Sequence, residues 1–360
     1  MSDRLKKDLR NLSLEKIQTT LKELEEKTFR ARQIYYWIWH QGVKEFHQMS
    51  NLPKDLQAKL KERFYIRSVE LKEVQYSSDG TLKNGLKLYD GKNIESVLIP
   101  SLKRSTGCIS SQVGCSLDCA FCATSQLPRM RNLEVGEIYD QVQILDSQSR
   151  KNFKKSLNNI VFMGMGEPLL NYKNVMKAIE RIITSRNLQI SARRITLSTS
   201  GIPKMIRRLA DDEPRFKLAL SLHAVREEIR NSIMPFSKNF PLTELLDSLK
   251  YWYSKTKDRI TIEYIIWEGI NDQQEDIRAL VKFCKAVPSK VNLIEYNPIG
   301  KSQFRQVNEK KLQEYLHTLE KNGIVGKIRH SRGKDIDAAC GQLANKNSLI
   351  PSGSNEVFIS

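Results

Sequence analysis

Apolar residues recur at helical spacing through roughly the first 70 positions, in LEKIQTTLKELEEK, FRARQIYYWIWHQG and KDLQAKLKERF. Ser13 is placed to cap the first of these helices and Gly42 to end the second. Between about residues 70 and 100 the pattern becomes that of strands. Turns are expected there at Asp79-Gly80, Asn84-Gly85 and Asp90-Gly91, with NIESVLIP as the last strand. Further on, short apolar runs alternate with amphipathic helices. The runs are GCISSQV, NNIVFMGMG, RRITLSTSG, FKLALSLHA, RITIEYIIWE, KVNLIEYNP and GIVGKIRHS. The helices include EVGEIYDQVQIL, YKNVMKAIERIIT, LTELLDSLKYWYSKT, QQEDIRALVKFCKAV and EKKLQEYLHTLEKN. This alternation predicts βαβ units, a parallel sheet and right-handed crossovers. Six or seven such units suit an open or incomplete barrel, with a flat doubly wound sheet as the alternative. The final ANKNSLIPSGSNEVFIS has no periodic pattern and reads as a polar tail.

Several runs end in small or polar residues: Gly166-Glu167, Ser198-Thr199-Ser200, Ser221-Leu222-His223 and Asn297-Pro298. Ligands of parallel α/β folds sit at the C-terminal ends of the strands, so these ends are expected to converge on one site.

Composition narrows the partner. Lys and Arg outnumber Asp and Glu by 59 to 41, a net charge of +18, which favours a polyanion such as nucleic acid. Tyr35, Tyr36, Trp37 and Trp39 lie within one basic helical stretch. Most of them are expected in the core of the small helical domain, leaving its basic outer face for RNA. Lys103, Arg104, Arg129, Arg131, Arg193, Arg194, Arg207, Arg208, Arg329, Arg332 and Lys334 are further candidates for phosphate contact. No run approaches the ~18 apolar residues of a membrane span. MSDRLKKDLRNLSLEK lacks the apolar core of a secretory signal, so a cytoplasmic protein is expected.

In a reducing compartment, the six cysteines point to metal or thiol chemistry rather than disulfides. Cys115, Cys119 and Cys122 form C-x3-C-x2-C in a loop after the first barrel strand, and soft thiolates suit iron–sulfur or zinc. The spacing offers no fourth thiolate. Three would leave one iron open, and an open metal position is where substrate binds. Structural zinc completed by a distant ligand is the alternative. Zinc motifs, however, pair C-x2-C elements or bring a His close, and the nearest downstream His is His223. Phe121 is placed to shield one side of a cluster. Cys284, inside a helix, reads as packing, and Cys340 among alanines reads by itself the same way.

The cysteine motif at the opening of a βα barrel resembles the radical S-adenosylmethionine superfamily. More narrowly, ESVLIP, TGCISSQVGCSLDCAFCATSQ, MRNL, MGMGEPLLNY, RRITLSTSGIP, LALSLHA, VNLIEYNPIG and SRGKDIDAACGQLA resemble, in order, the dual-specificity ribosomal-RNA adenine C2-methyltransferases. FRARQIYYWIWHQG followed by MSNLPKDLQAKL resembles that family's small helical domain. The resemblance implies an α/β fold, a partial (β/α)6-type radical SAM barrel with a small N-terminal helical domain. Residues 1–70 would be the accessory domain, 71–100 a β-rich connector and 101–335 the barrel core. Residues 336–360 would carry the methyl-accepting cysteine and the polar tail. The implied cofactors are one [4Fe-4S] cluster on Cys115, Cys119 and Cys122, and two molecules of S-adenosylmethionine per turnover. Gly166, Glu167, Ser198, Ser221, Leu222, His223 and Asn297 match the family's cofactor contacts.

The target implied is adenosine 2503 of 23S rRNA, with adenosine 37 of tRNA as a second substrate. An adenine C2–H is neither a good nucleophile nor usefully acidic, so polar methyl transfer to it is unfavourable, whereas a carbon radical adds to it. In the implied sequence the Cys340 thiolate takes a methyl group by substitution. A 5′-deoxyadenosyl radical then removes hydrogen from the S-methyl group, and the resulting radical attacks adenine. Glu95 matches the proton acceptor. Cys108 attacks sulfur to release the RNA, leaving a disulfide with Cys340 that reductants reopen. The expected partners are 23S rRNA, tRNA and an electron donor such as flavodoxin or ferredoxin, with the chain a monomer. The alternatives are a C8-methylating sibling acting on the same adenine and, more distantly, a non-catalytic zinc RNA-binding protein.

Overall fold

A computed structural model describes residues 6–300 and 303–344. The expected polar tail lies outside the described residues, apart from its first residue, Ala344. Three N-terminal helices form where the apolar periodicity places them: α1 (Leu14–Glu23), α2 (Arg30–Tyr36) and α3 (Lys54–Arg63). The Ser13 hydroxyl accepts from the Lys16 N–H at 3.3 Å, satisfying one of the free donors of the first turn. α2 continues as a π turn over Trp37–Gln41 and stops at Gly42, whose φ of +63° few other residues tolerate. Ile17, Leu21, Ile34, Ile38 and Trp39 are buried, while Tyr36 is exposed and stacks on His40. The Trp39 carbonyl accepts from the Tyr139 hydroxyl at 2.6 Å, tying this helical unit to the barrel.

Ten strands form one sheet whose spatial order follows chain order. The first three, β1 (Glu70–Tyr76), β2 (Leu82–Lys87) and β3 (Asn93–Pro100), are antiparallel, and β3 pairs directly with β4 (Ser105–Cys108). The stretch expected as a connector is therefore an extension of the sheet. Asn84-Gly85 is not a turn but lies within β2. The buried Asn84 amide exchanges hydrogen bonds with the Gln148 side chain at 2.7 and 2.9 Å, which satisfies its polar groups without a turn. Asp79-Gly80 and Asp90-Gly91 do turn, with both glycines at positive φ.

From β4 onward every pairing is parallel: β5 (Asn159–Phe162), β6 (Ile195–Thr199), β7 (Lys217–Ser221), β8 (Ile260–Ile265), β9 (Ser289–Ile294) and β10 (Val325–Arg329). β10 and β1 remain separate edges, so the sheet is an open barrel. The crossovers are α4 (Val135–Phe153), α5 (Tyr172–Thr184), α6 (Pro203–Asp211), the pair α7 (Glu227–Ile233) and α8 (Leu242–Thr256), α9 (Gln274–Ala286) and α10 (Glu309–Lys321). β8 is buried along its whole length, as a strand covered on both faces must be. Cys284 packs in the core from α9. Among the described residues no helix is long and apolar enough to cross a membrane.

Candidate functional site

The C-terminal ends of the parallel strands open into a cavity of about 980 Å³. Cys115, Cys119 and Cys122 form one wall, and Gly166, Glu167, Ser198, Ser221, His223 and Asn297 line it with them. Leu222 does not reach this wall: it is fully buried, its N–H donates to the Glu263 carbonyl at 3.0 Å and its carbonyl accepts from Arg230.

The cysteine loop is shaped by its backbone. Gly114 enters it at φ +75°, where a Cβ would stand 2.3 Å from the Pro128 carbonyl oxygen, so only glycine fits. The Ser125 hydroxyl bridges the Cys119 and Cys122 carbonyls at 2.6 and 2.7 Å. Burial pushes the Cys115 thiol up to about 11 and holds Cys119 and Cys122 above their ordinary values. Mutual repulsion adds to this at Cys115 and Cys119. Thiols so placed become thiolates when a metal replaces their protons. Among the described residues no three His, Cys, Asp or Glu side chains converge tightly enough to hold a single ion. A multi-iron cluster places each thiolate on a different iron and so takes ligands spread along a wall.

Glu167 is 3% exposed. Its carboxylate accepts from the N–H groups of Ser200 and Leu169 at 2.8 and 3.1 Å. Burial nonetheless holds it above the usual carboxylate range, and among the described residues its side chain makes no ion pair. Such a carboxylate suits an ammonium group delivered by a ligand. Gly166, at φ +91°, would place a Cβ 2.4 Å from that of Gln112. The close approach that demands glycine here is to Gln112, whose side-chain oxygen accepts from the Glu167 N–H at 2.9 Å. His223 adopts a left-handed backbone, and its Nδ1 accepts from the Ile265 N–H at 3.2 Å. Burial, reinforced by Arg230, lowers its pKa to about 3, so the ring is neutral at physiological pH. Phe121 packs edge-on to His223 with ring centres 4.9 Å apart, walling the cysteine loop.

A second cavity, of about 830 Å³, adjoins the first. Cys108, at the end of β4, lines only this one, with His330, Arg332, Ala338 and Ala339. Cys340, Cys122 and Arg329 line both. The loop carrying Cys340 is fastened to the cysteine loop: the Gly341 carbonyl accepts from the Ala123 N–H at 2.7 Å, and the Leu343 carbonyl from the Thr124 hydroxyl at 2.6 Å. The Cys340 thiol is exposed, whereas Cys108 is buried and pushed up to about 12 by that burial and by the Cys340 charge. Glu95 is not among the residues lining either cavity. It lies buried on β3, 3.7 Å from Lys83 Nζ, and accepts from the Ala344 N–H at 2.9 Å.

Comparison with known proteins agrees with this arrangement. Residues 7–66 match the model of the ribosomal RNA large subunit methyltransferase N-terminal domain, and residues 109–284 that of the radical SAM superfamily. The chain is 57% identical over 341 residues to a probable dual-specificity RNA methyltransferase RlmN of Flavobacterium psychrophilum, covering 95% of this chain and 98% of that one. The dual-specificity RNA methyltransferase RlmN of Lawsonia intracellularis is 42% identical, over 93% of this chain and 95% of its own. The chain belongs to the RlmN family. A crystal structure of a radical SAM methyltransferase from Sphaerobacter thermophilus superposes with a TM-score of 0.86 at 36% identity, over 93% of this chain and 98% of that one.

The RlmN fold thus brings the three cysteines expected to hold a cluster, six of the seven expected cofactor contacts and the two cysteines expected to do the chemistry to two adjoining cavities. Two buried residues beside the site were not read as part of it from the sequence: Gln112, which orients Glu167, and Arg230. Several expected phosphate contacts are engaged within the protein. Arg131 binds Asp90 and Glu137 at 2.8 and 2.7 Å, Arg193 binds Asp258, and Lys334 binds Glu295. Arg329 lies between the cavities, 3.7 Å from Glu263.

Proposed function

We propose that this chain transfers a methyl group from S-adenosylmethionine to C2 of an adenine in 23S rRNA, and in tRNA, with Cys340 as the carrier. The observation that supports it most is the placement of Cys340, which lines both the cavity of the three cysteines and the cavity of Cys108. Cys115, Cys119 and Cys122 hold a [4Fe-4S] cluster, which when bound supplies single electrons to a bound sulfonium.

The remaining roles fall to the protein's own groups. Glu167 receives the α-ammonium of S-adenosylmethionine. Ser198 and Ser221, whose hydroxyls stand 3.5 Å apart on neighbouring strands, and Asn297 offer further polar contacts. His223, being neutral, adds no charge that would repel a sulfonium. Leu222 contributes by fixing the backbone between Ser221 and His223. The exposed Cys340 thiol accepts the methyl group from the first cavity and presents it to RNA in the second. Cys108 stays a protonated thiol until its sulfur is needed to release the product. Glu95 accepts the adenine proton once the Ala344 N–H leaves its carboxylate. The adenine enters out of its stack, as a base must to reach an enclosed site.

The Flavobacterium and Lawsonia relatives both carry the dual-specificity name, which favours C2 over the C8 sibling and over a zinc RNA-binding protein. An acidic one-electron carrier such as flavodoxin or ferredoxin is the donor this reading calls for, in the cytoplasm. The test is Cys108→Ala incubated anaerobically with reductant, S-adenosylmethionine and a 23S rRNA fragment. A covalent RNA–protein adduct at Cys340 is expected, and normal multiple turnover by this variant overturns the reading.

A further inference from the structure

Arg230, on α7, lines neither cavity and is 1% exposed. Among the described residues its guanidinium donates only to neutral acceptors: the carbonyls of Ser200 (2.7 Å), Ser221 (3.5 Å) and Leu222, and Met234 Sδ (3.5 Å). Its Nε has no partner. A buried guanidinium whose hydrogen-bond partners are neutral is costly to keep charged, so a negative charge must offset it across space. The surroundings indicate where. The last turn of α7 is latched to the cysteine loop: the Ile233 carbonyl accepts from the Ala120 N–H at 2.9 Å, and Asp118 accepts from the Phe236 N–H at 2.9 Å. Met234, which Arg230 touches, lines the cavity beside Cys119. Ser200 and Ser221, whose carbonyls Arg230 holds, line the same cavity as Cys115, Cys119 and Cys122, so the guanidinium stands one layer of backbone behind that wall.

We infer that Arg230 is the fixed counter-cation of the cysteine-bound centre and sets how readily that centre accepts an electron. The inference rests on reading Cys115, Cys119 and Cys122 as ligands of a [4Fe-4S] cluster. A two-plus cluster core with three thiolates is an anion, and its one-electron reduced form is more negative still. A cation fixed nearby in a low-dielectric interior favours the more negative form and raises the reduction potential. Arg230 acts across space, without touching the cysteines or the cavity. The same guanidinium also clamps the carbonyl ends of β6 and β7, which is a structural role. The two roles separate by charge: Lys keeps the cation but loses the planar fork, and Gln keeps hydrogen-bonding capacity but loses the cation.

The experiment is a redox titration of the anaerobically reconstituted full-length protein, followed by electron paramagnetic resonance, for wild type, Arg230→Lys and Arg230→Gln. Iron and sulfide are counted in each. The expected result is a midpoint potential shifted to more negative values in Arg230→Gln and held near wild type in Arg230→Lys. If Arg230→Gln is insoluble, Arg230→Met takes its place with the same expectation. Equal midpoints in all three proteins at equal cluster content overturn the inference. Equal shifts in the Lys and neutral variants also overturn it, in favour of the clamp. A wild-type protein that binds no iron–sulfur cluster overturns instead the reading on which the inference rests.

Discussion

The Asn297 side-chain amide donates to the Cys340 carbonyl at 3.2 Å, joining the loop after β9 to the loop that carries the exposed thiol. The neighbouring Pro298 carbonyl accepts from Gln342 at 3.2 Å, so two side-chain bonds hold Cys340 where the cavities meet. Asn297→Ala removes the closer of these restraints. A reacting group displaced by about 1 Å loses on the order of 100-fold in rate. Single-turnover methylation is expected to fall by about that factor while iron content stays at the wild-type level; an unchanged rate would contradict this positioning.

Glu167 carries a pH-dependent consequence. Burial holds its carboxyl above the ordinary range in the folded protein, so the ligand-free fold binds that proton more tightly than the unfolded chain does. Stability from this group is therefore full below the unfolded pKa, and it is lost as pH rises through the folded pKa. Glu167→Gln is expected to remove that loss in urea unfolding measured across pH. The same change should weaken S-adenosylmethionine binding by about 10- to 150-fold, matching the ~1.5–3 kcal/mol of a hydrogen bond to a charged group. Binding at wild-type strength in equilibrium dialysis would refute the ammonium contact.

Arg10 anchors the helical unit to the barrel. It is 6% exposed and donates to both Asp140 carboxylate oxygens at 2.7 and 2.8 Å, and to the carbonyls of Arg67 and Gly136. Asp140→Ala leaves the guanidinium buried without its anion, a change that costs about 3–5 kcal/mol. A lower urea midpoint is expected, with earlier hydrogen exchange in α1 to α3 than in the barrel. Wild-type stability in this variant would mean that the anchor is elsewhere.

Much of this arrangement was legible in the sequence because it is local. The seven parallel strands announced themselves as apolar runs between helices, and Cys115, Cys119 and Cys122 by their spacing. What was not legible depends on distant partners. Arg230, in EEIRNSI, carries no signal of its own in the sequence; it is buried where the end of α7 docks on a loop more than a hundred residues upstream, as the Phe236–Asp118 bond records. Arg131 reads as free for phosphate until Asp90, 41 residues away, closes on it. Asn84-Gly85 reads as a turn because the pair favours one, yet Gln148 on α4 satisfies the amide within a strand. Gly166 has a steric demand that only the fold reveals, since a Cβ there would meet Gln112.

The account turns on Cys340 as the residue that carries the methyl group between the cavities. The most direct test is mass spectrometry of peptides from the reconstituted enzyme after incubation with S-adenosylmethionine bearing a deuterated methyl group, without RNA. The account predicts one labelled methyl on the peptide containing Cys340, none on those containing Cys108 or Cys284, and no label in Cys340→Ala despite an intact cluster. Label on another cysteine, or RNA methylation by Cys340→Ala, would contradict it.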